Sequence, residues 1–159
     1  MNVKFSTKFV AASAAAVMAL SLAGCSGGSM DDSSSSSAKA SGDSITIGTV
    51  TTNSGTAAAY GEAEVKGFEL AVSEINAKGG INGKKVKLES MDDKGDATEA
   101  SNAFNKLAGD NSVLGVVGPT ISSTTAAVAP LADQSKLPAI APAATSDSIE
   151  TGNYLFRTC

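Results

Sequence analysis

The sequence predicts an α/β fold, a doubly wound parallel sheet flanked by helices. Three observations carry that prediction. Short runs rich in β-branched residues alternate with longer spans of helical periodicity, as repeated strand-helix units require. One run, Val113 to Val117, is continuously apolar, the pattern of a strand buried on both faces. Each run also ends in small, hydroxyl or turn-forming residues, which suits loops at the carboxyl ends of strands, where such sheets hold their ligands.

The elements follow in order. Ser44 to Val50 (SITIGTV) reads as the first strand, closed by the turn residues Thr51, Thr52, Asn53, Ser54 and Gly55. Between Ala58 and Ala77, the residues Tyr60, Phe68, Ala71, Val72 and Ile75 fall near one helical face, and Lys78-Gly79-Gly80 stops the helix. Asn82-Gly83 turns the chain into a second strand, Lys85 to Met91, with Val86 and Leu88 on one face. Asp96 and Glu99 form a capping box that opens a helix carrying Ala100, Ala103, Phe104, Leu107 and Ala108 on its buried stripe, ending near Gly109-Asp110. Val113 to Val117 is the third, central strand, bounded by Gly118-Pro119. Ser122 to Gln134 is a third helix, whose geometry Pro130 should disturb. Leu137 to Ala141 is a fourth short strand interrupted by Pro138, and Tyr154 to Arg157 begins a fifth.

The 159 residues are not one kind of material. Residues 1–25 carry two charges, Lys4 and Lys8, ahead of the uncharged stretch Phe9 to Gly24, the basic and apolar regions of a secretory signal. Residues 26–42 hold eight serines and three glycines among seventeen positions and read as a flexible tether, too poor in apolar residues to offset the entropy of ordering. Residues 43–159 form the folded part, 117 residues, room for one lobe. There nine Lys/Arg face fourteen Asp/Glu, a net charge of −5, which removes a basic nucleic-acid footprint.

Histidine is absent from the whole chain, so a Ser-His-Asp triad, a Cys-His pair and a His-ligated metal cannot be assembled from it. The nucleotide motifs fail as well: no GxGxxG follows the first strand, and Lys85 stands where the phosphate loop near Gly83-Lys84 needs Ser or Thr. Asp92-Asp93 ends the second strand without a third ligand in register, which favours a loop-fixing role over a metal site. No cofactor is implied.

Two strand ends differ from the rest. Gly118-Pro119-Thr120-Ile121 is followed by Ser122-Ser123-Thr124-Thr125, four consecutive hydroxyl residues opening a helix, and Ala141-Pro142-Ala143-Ala144 is followed by Thr145-Ser146. Free N–H groups at a helix start, with neighbouring hydroxyls, form a neutral donor set suited to a carboxylate. Ser122 and Thr145 as simple helix caps remain the alternative, with Thr120 and Ser123 read as capping or loop residues.

Leu22-Ala23-Gly24-Cys25 resembles the lipobox of bacterial lipoproteins, which implies a lipid on Cys25 as the mature N-terminus and a membrane anchor. The folded part resembles the first lobe of the branched-chain amino acid (Leu/Ile/Val) substrate-binding proteins of bacterial ABC importers. The resemblance rests on Asn53-Ser54-Gly55, Tyr60-Gly61, Gly67, the string Ile75 to Lys84 (INAKGGINGK), Asp92-Asp93, Gly118-Pro119, Pro142 to Thr145 and Phe156-Arg157, in order and with similar spacing.

That resemblance implies a type I periplasmic-binding-protein lobe. Ser122 and Thr145 would hold the ligand carboxylate, the Ala143 carbonyl would accept from its ammonium, and Tyr60 would line the side-chain pocket, although Tyr60 also fits the core face of its helix. It implies further that an acidic group and much of the pocket come from a second lobe, that the chain here is an N-terminal, incomplete lobe, and that it works with a permease and ATPase outside the cytoplasm. Another amino acid, an amide or urea as ligand, a membrane-tethered sensor of the same fold, and more remotely an exported α/β enzyme domain are the other readings.

Overall fold

The computed structural model describes residues 44–149 and 152–159, so the signal, lipobox and tether expected in residues 1–42 lie outside the described residues. Eight elements succeed one another: β1 (Ser44–Thr51), α1 (Ala58–Ala77), β2 (Lys85–Asp92), α2 (Ala97–Ala108), β3 (Val113–Val117), α3 (Ser122–Ser135), β4 (Ala139–Ala141) and β5 (Leu155–Arg157). The strands form one sheet in the order β2-β1-β3-β4-β5, and every pairing is parallel. The chain steps from β1 outward to β2, returns past β1 to β3, and continues to β4 and β5. Right-handed crossovers therefore put α1 on one face and α2 with α3 on the other. α2 and α3 pack against each other, and α1 lies over β1 and β2.

The core sits between the sheet and the α2/α3 layer. Phe104 and Leu107 of α2, Val128 and Ala132 of α3, and Val50, Val116 and Leu155 of the strands are all buried in one cluster. α1 is different: its one buried residue is Gly61, and Phe68, Val72 and Ile75 are only half-buried. β3 is correspondingly one-sided, with Val113 and Val116 buried and Leu114 and Val117 intermediate, so its apolar run is not buried equally on both faces. On β4 and β5, Ile140 and Phe156 remain 44% and 53% exposed.

Local chemistry explains most boundaries. The string after α1 is held by Asn76, whose side chain pairs with β2 as a strand edge would: Val86 N–H donates to Asn76 Oδ1 (2.7 Å) and Asn76 Nδ2 donates to the Val86 carbonyl (2.8 Å). Asn82 and Gly83 then turn the chain with φ of 51° and 78°, the left-handed conformation that this residue pair favours. Asp96 caps α2 by accepting from the N–H groups of Thr98 (2.8 Å) and Glu99 (2.9 Å). The reciprocal half of the expected capping box is not made. The Asp96 N–H donates to the Asp93 carbonyl, which leaves the Glu99 side chain to pair with Lys94 at 3.6 Å.

α3 runs through Pro130 without a break. Pro130 is exposed, and the buried residues on either side, Val128, Ala129 and Ala132, hold the helix to the core. Pro138 does shorten β4 to three residues: with no N–H to offer, it contributes only its carbonyl, which accepts from Val116 N–H (2.9 Å).

Candidate functional site

The order of the strands locates the site. Chain direction across the sheet reverses between β1 and β3, so the loops that leave these two strands diverge and open a crevice at their carboxyl ends. A cavity of about 330 Å³ lies there, lined by Ala57 and Tyr60 from the start of α1, by Thr120, Ile121 and Ser122 between β3 and α3, and by Ala143 and Thr145 after β4. All four residues singled out in the sequence, Tyr60, Ser122, Ala143 and Thr145, line this one cavity.

Close backbone approach shapes its floor. Gly118 has φ +120°, and a Cβ there would lie 1.9 Å from the Val50 carbonyl oxygen, so β1 and the start of the β3–α3 loop touch backbone to backbone. Gly61 plays the same part for α1, where a Cβ would lie 2.1 Å from the Thr52 carbonyl oxygen. Tyr60, next in the chain, is 68% exposed and lines the cavity, so it is not part of a helix-face core.

The four hydroxyl residues at the start of α3 divide their work. Ile121 occupies the cap position without a side-chain cap bond. Thr124 and Thr125 are buried and donate to the Ile121 carbonyl at 3.0 and 2.9 Å, and Ser123 is exposed. Ser122 alone among them lines the cavity, and its Oγ accepts from Ser146 N–H (3.2 Å), which ties the β4 loop to the start of α3. The first N–H groups of α3 have no acceptor within the helix and carry its positive dipole end.

Thr145 does not open a helix: residues 142–149 form turns and bends, so it contributes a hydroxyl on an irregular loop. Arg157 of β5 shapes that loop, its Nη1 donating to the carbonyls of Ser146 (2.8 Å) and Ala144 (3.4 Å). The Pro142 carbonyl accepts from Thr158 Oγ1 (2.8 Å). Ala143, between these two engaged carbonyls, lines the cavity. Among the described residues no charged side chain lines the cavity, so its polar groups are the neutral hydroxyls and backbone groups of the loops after β3 and β4.

Behind the lining, the loops are pinned by carboxylates. Asp92 accepts from the N–H groups of Asn53 (2.9 Å) and Lys94 (2.8 Å) and from Ser54 Oγ (2.9 Å), fastening the β1–α1 loop to the end of β2. Burial works to raise its pKa, but the two backbone N–H groups, the Ser54 hydroxyl and the Lys94 charge together hold it below the ordinary aspartate value. Thr120, expected only to shape the loop, is fully buried. It lines the cavity, accepts from Thr52 N–H (3.0 Å) and donates to Glu64 Oε2 (2.6 Å). Nothing in its sequence neighbourhood separates it from Ser122 or Ser123 except its place right after Gly118-Pro119.

A parallel sheet with a small pocket at its topological switch point is the arrangement in which α/β lobes hold small molecules. The sequence matches the periplasmic binding protein family over residues 44–159, and the chain belongs to that family. It is similar to a Leu/Ile/Val-binding protein of Rhizobium johnstonii, 38% identical over 72% of this chain and 32% of the relative. Among solved structures it resembles the branched-chain amino acid transporter substrate-binding protein LivJ of Streptococcus pneumoniae in complex with isoleucine. That match has 43% identity and a TM-score of 0.68, and covers 72% of this chain and 33% of the other. A solute-binding protein of an ABC transporter from Rhodopseudomonas palustris, solved with 3,4-dihydroxybenzoic acid, also matches, with 26% identity and a TM-score of 0.67 over 74% and 32% of the two chains. The chain spans about a third of the length of these relatives.

Proposed function

We propose that this chain supplies the first ligand-binding lobe of an extracytoplasmic substrate-binding subunit of an ABC importer, which takes up branched-chain or related amino acids and delivers them to a permease and its ATPase. The observation that carries the reading is that Ser122 at the start of α3, Thr145 and Ala143 line one cavity. Hydroxyls and helix N–H groups suit the α-carboxylate, the carbonyl suits the ammonium, and Tyr60 with Ile121 and Ala57 offers an apolar wall to the side chain. The names of the relatives with leucine, isoleucine and valine agree with that chemistry. Binding and delivery, without catalysis, is the function proposed.

A different carboxylate is the second reading. The Rhodopseudomonas relative is described with an aromatic acid, and the donors at Ser122 and α3 suit any carboxylate. Amide-resolved NMR titration of the chain separates the two. With leucine, isoleucine or valine at millimolar concentration, shifts are expected at Ser122, Ala143 and Thr145. Shifts with aromatic acids and none with amino acids would favour the second reading, and no shift at these residues with either would remove the site.

The proposal places the protein outside the cytoplasm, anchored by a lipid on Cys25, with residues 26–42 as tether to the lobe of 43–159. The small residues before Cys25 and the basic and apolar regions ahead of them support this part. Cys25→Ala should move the protein from the membrane to the soluble fraction; a processed variant that stays wholly with the membrane would refute the anchor.

A further inference from the structure

Among the described residues, two carboxylates keep a buried oxygen that no hydrogen-bond donor reaches, Oε1 of Glu64 and Oδ2 of Asp93. Asp93 is completely buried, and its other oxygen accepts from Thr52 Oγ1 (2.6 Å) and Gly95 N–H (2.9 Å). Glu64 lies one turn along α1 from Tyr60, and its Oε2 accepts from Thr120 Oγ1 (2.6 Å). Thr120 accepts in turn from Thr52 N–H (3.0 Å), so Glu64, Thr120, Thr52 and Asp93 form one relay across α1 and the ends of β3, β1 and β2. Its middle member, Thr120, is part of the pocket wall.

The surroundings do not neutralise this pair. Residues 51–61 and 118–125, which supply the loops against it, carry no charge. On α1, Glu62 and Lys66 are exposed. At the β2–α2 corner, Asp92 is engaged by Asn53, Ser54 and Lys94, Asp96 caps α2, and Lys94 is turned out to Glu99. Two carboxylates behind the wall of a pocket, each with an unpaired oxygen and, among the described residues, no cation set against them, are relieved when one proton neutralises one of them.

We propose that Glu64 carries a proton in the folded lobe, favoured by its buried, unpartnered Oε1 and the buried Asp93 nearby, and that this proton keeps Thr120, and through it the Thr120–Ser122 edge of the pocket, in its binding position. Glu64 is thus a positioning residue, one turn behind the pocket, whose charge state sets the shape of the donor group. The electrostatics run the same way. Burial, opposed by the Thr120 hydroxyl and reinforced by the Asp93 charge, holds Glu64 above the ordinary glutamate value. A carboxyl raised in the folded state favours folding fully below its unfolded value near 4.5 and loses that contribution as pH rises through its folded value. The ligand consequence rests on the pocket reading above; the titration itself does not.

Carbon-13 and nitrogen-15 NMR of the labelled chain tests it without any ligand. The Glu64 carboxyl resonance should titrate above 4.5, and the Thr120 and Ser122 amide resonances should move with the same midpoint. Asp93→Asn should bring the Glu64 midpoint down, and Glu64→Gln, which keeps the acceptor for Thr120, should abolish the shared titration of the amides. A Glu64 midpoint at the ordinary value, or Thr120 and Ser122 amides that ignore it, overturns the proposal, and the wild-type chain alone decides both points. A leucine titration that fails at Ser122 would instead overturn the amino acid reading and leave this result standing.

Discussion

At the scale of single residues, the site is a set of small groups placed by their neighbours. Ser122 is useful because Thr124 and Thr125 turn inward onto the Ile121 carbonyl, leaving its hydroxyl on the cavity side. Ser122→Ala with Thr145→Ala should weaken amino acid binding at least tenfold, since a hydrogen bond to a charged group contributes about 1.5 to 3 kcal/mol. NMR titration of the double variant against the parent measures it, and equal affinities would place the carboxylate elsewhere. Asp92 carries a prediction about pH. Because its pKa is lowered on folding, the stability it confers is present above its unfolded value of 3.8 and is lost as pH falls through the folded value. Urea unfolding in acid should therefore show a steeper loss for the parent than for Asp92→Asn; matching slopes would refute the pinning role. That Ser122 and Thr145 lie at the cavity was legible in the sequence, because they follow strand ends as clustered hydroxyls. Thr120 was not, since its importance comes from Glu64 and Thr52, 56 and 68 residues away in the chain, which only folding brings to it.

At the scale of elements, periodicity and turn chemistry sufficed where local forces decide. α1 spans the predicted Ala58 to Ala77, and β3 the predicted Val113 to Val117, because each is bounded by Gly, Pro or Asn turns. Periodicity and motif sufficed less well where another contact competes with the expected one. Glu99 leaves the capping box because the Asp93 carbonyl has already taken the Asp96 N–H, and α3 tolerates Pro130 because its buried neighbours outweigh one lost bond. The loop after β4 needs no helix to present Thr145, since Arg157 holds it from β5. Asp96 itself satisfies two N–H groups at the start of α2, so Asp96→Ala should cost about 1 kcal/mol. Chemical denaturation reads this directly, and an unchanged midpoint would mean that α2 is held by Phe104 and Leu107 alone.

At the scale of the whole molecule, the winding order of the sheet does the functional work. The reversal between β1 and β3 opens the crevice, the β4 loop closes one side of it, and α1 brings Tyr60 to its rim. On the proposed reading, such a lobe offers a zwitterion neutral donors for one end and a carbonyl for the other, which would favour ligands bearing both groups. That is the central claim, and NMR titration of the chain with leucine, leucinamide and 4-methylpentanoate tests it most directly. The shifts at Ser122, Ala143 and Thr145 should be largest and tightest for leucine, weaker for the acid that lacks the ammonium, and smallest for the amide that lacks the carboxylate. Equal responses to all three, or shifts that bypass these residues, would contradict it.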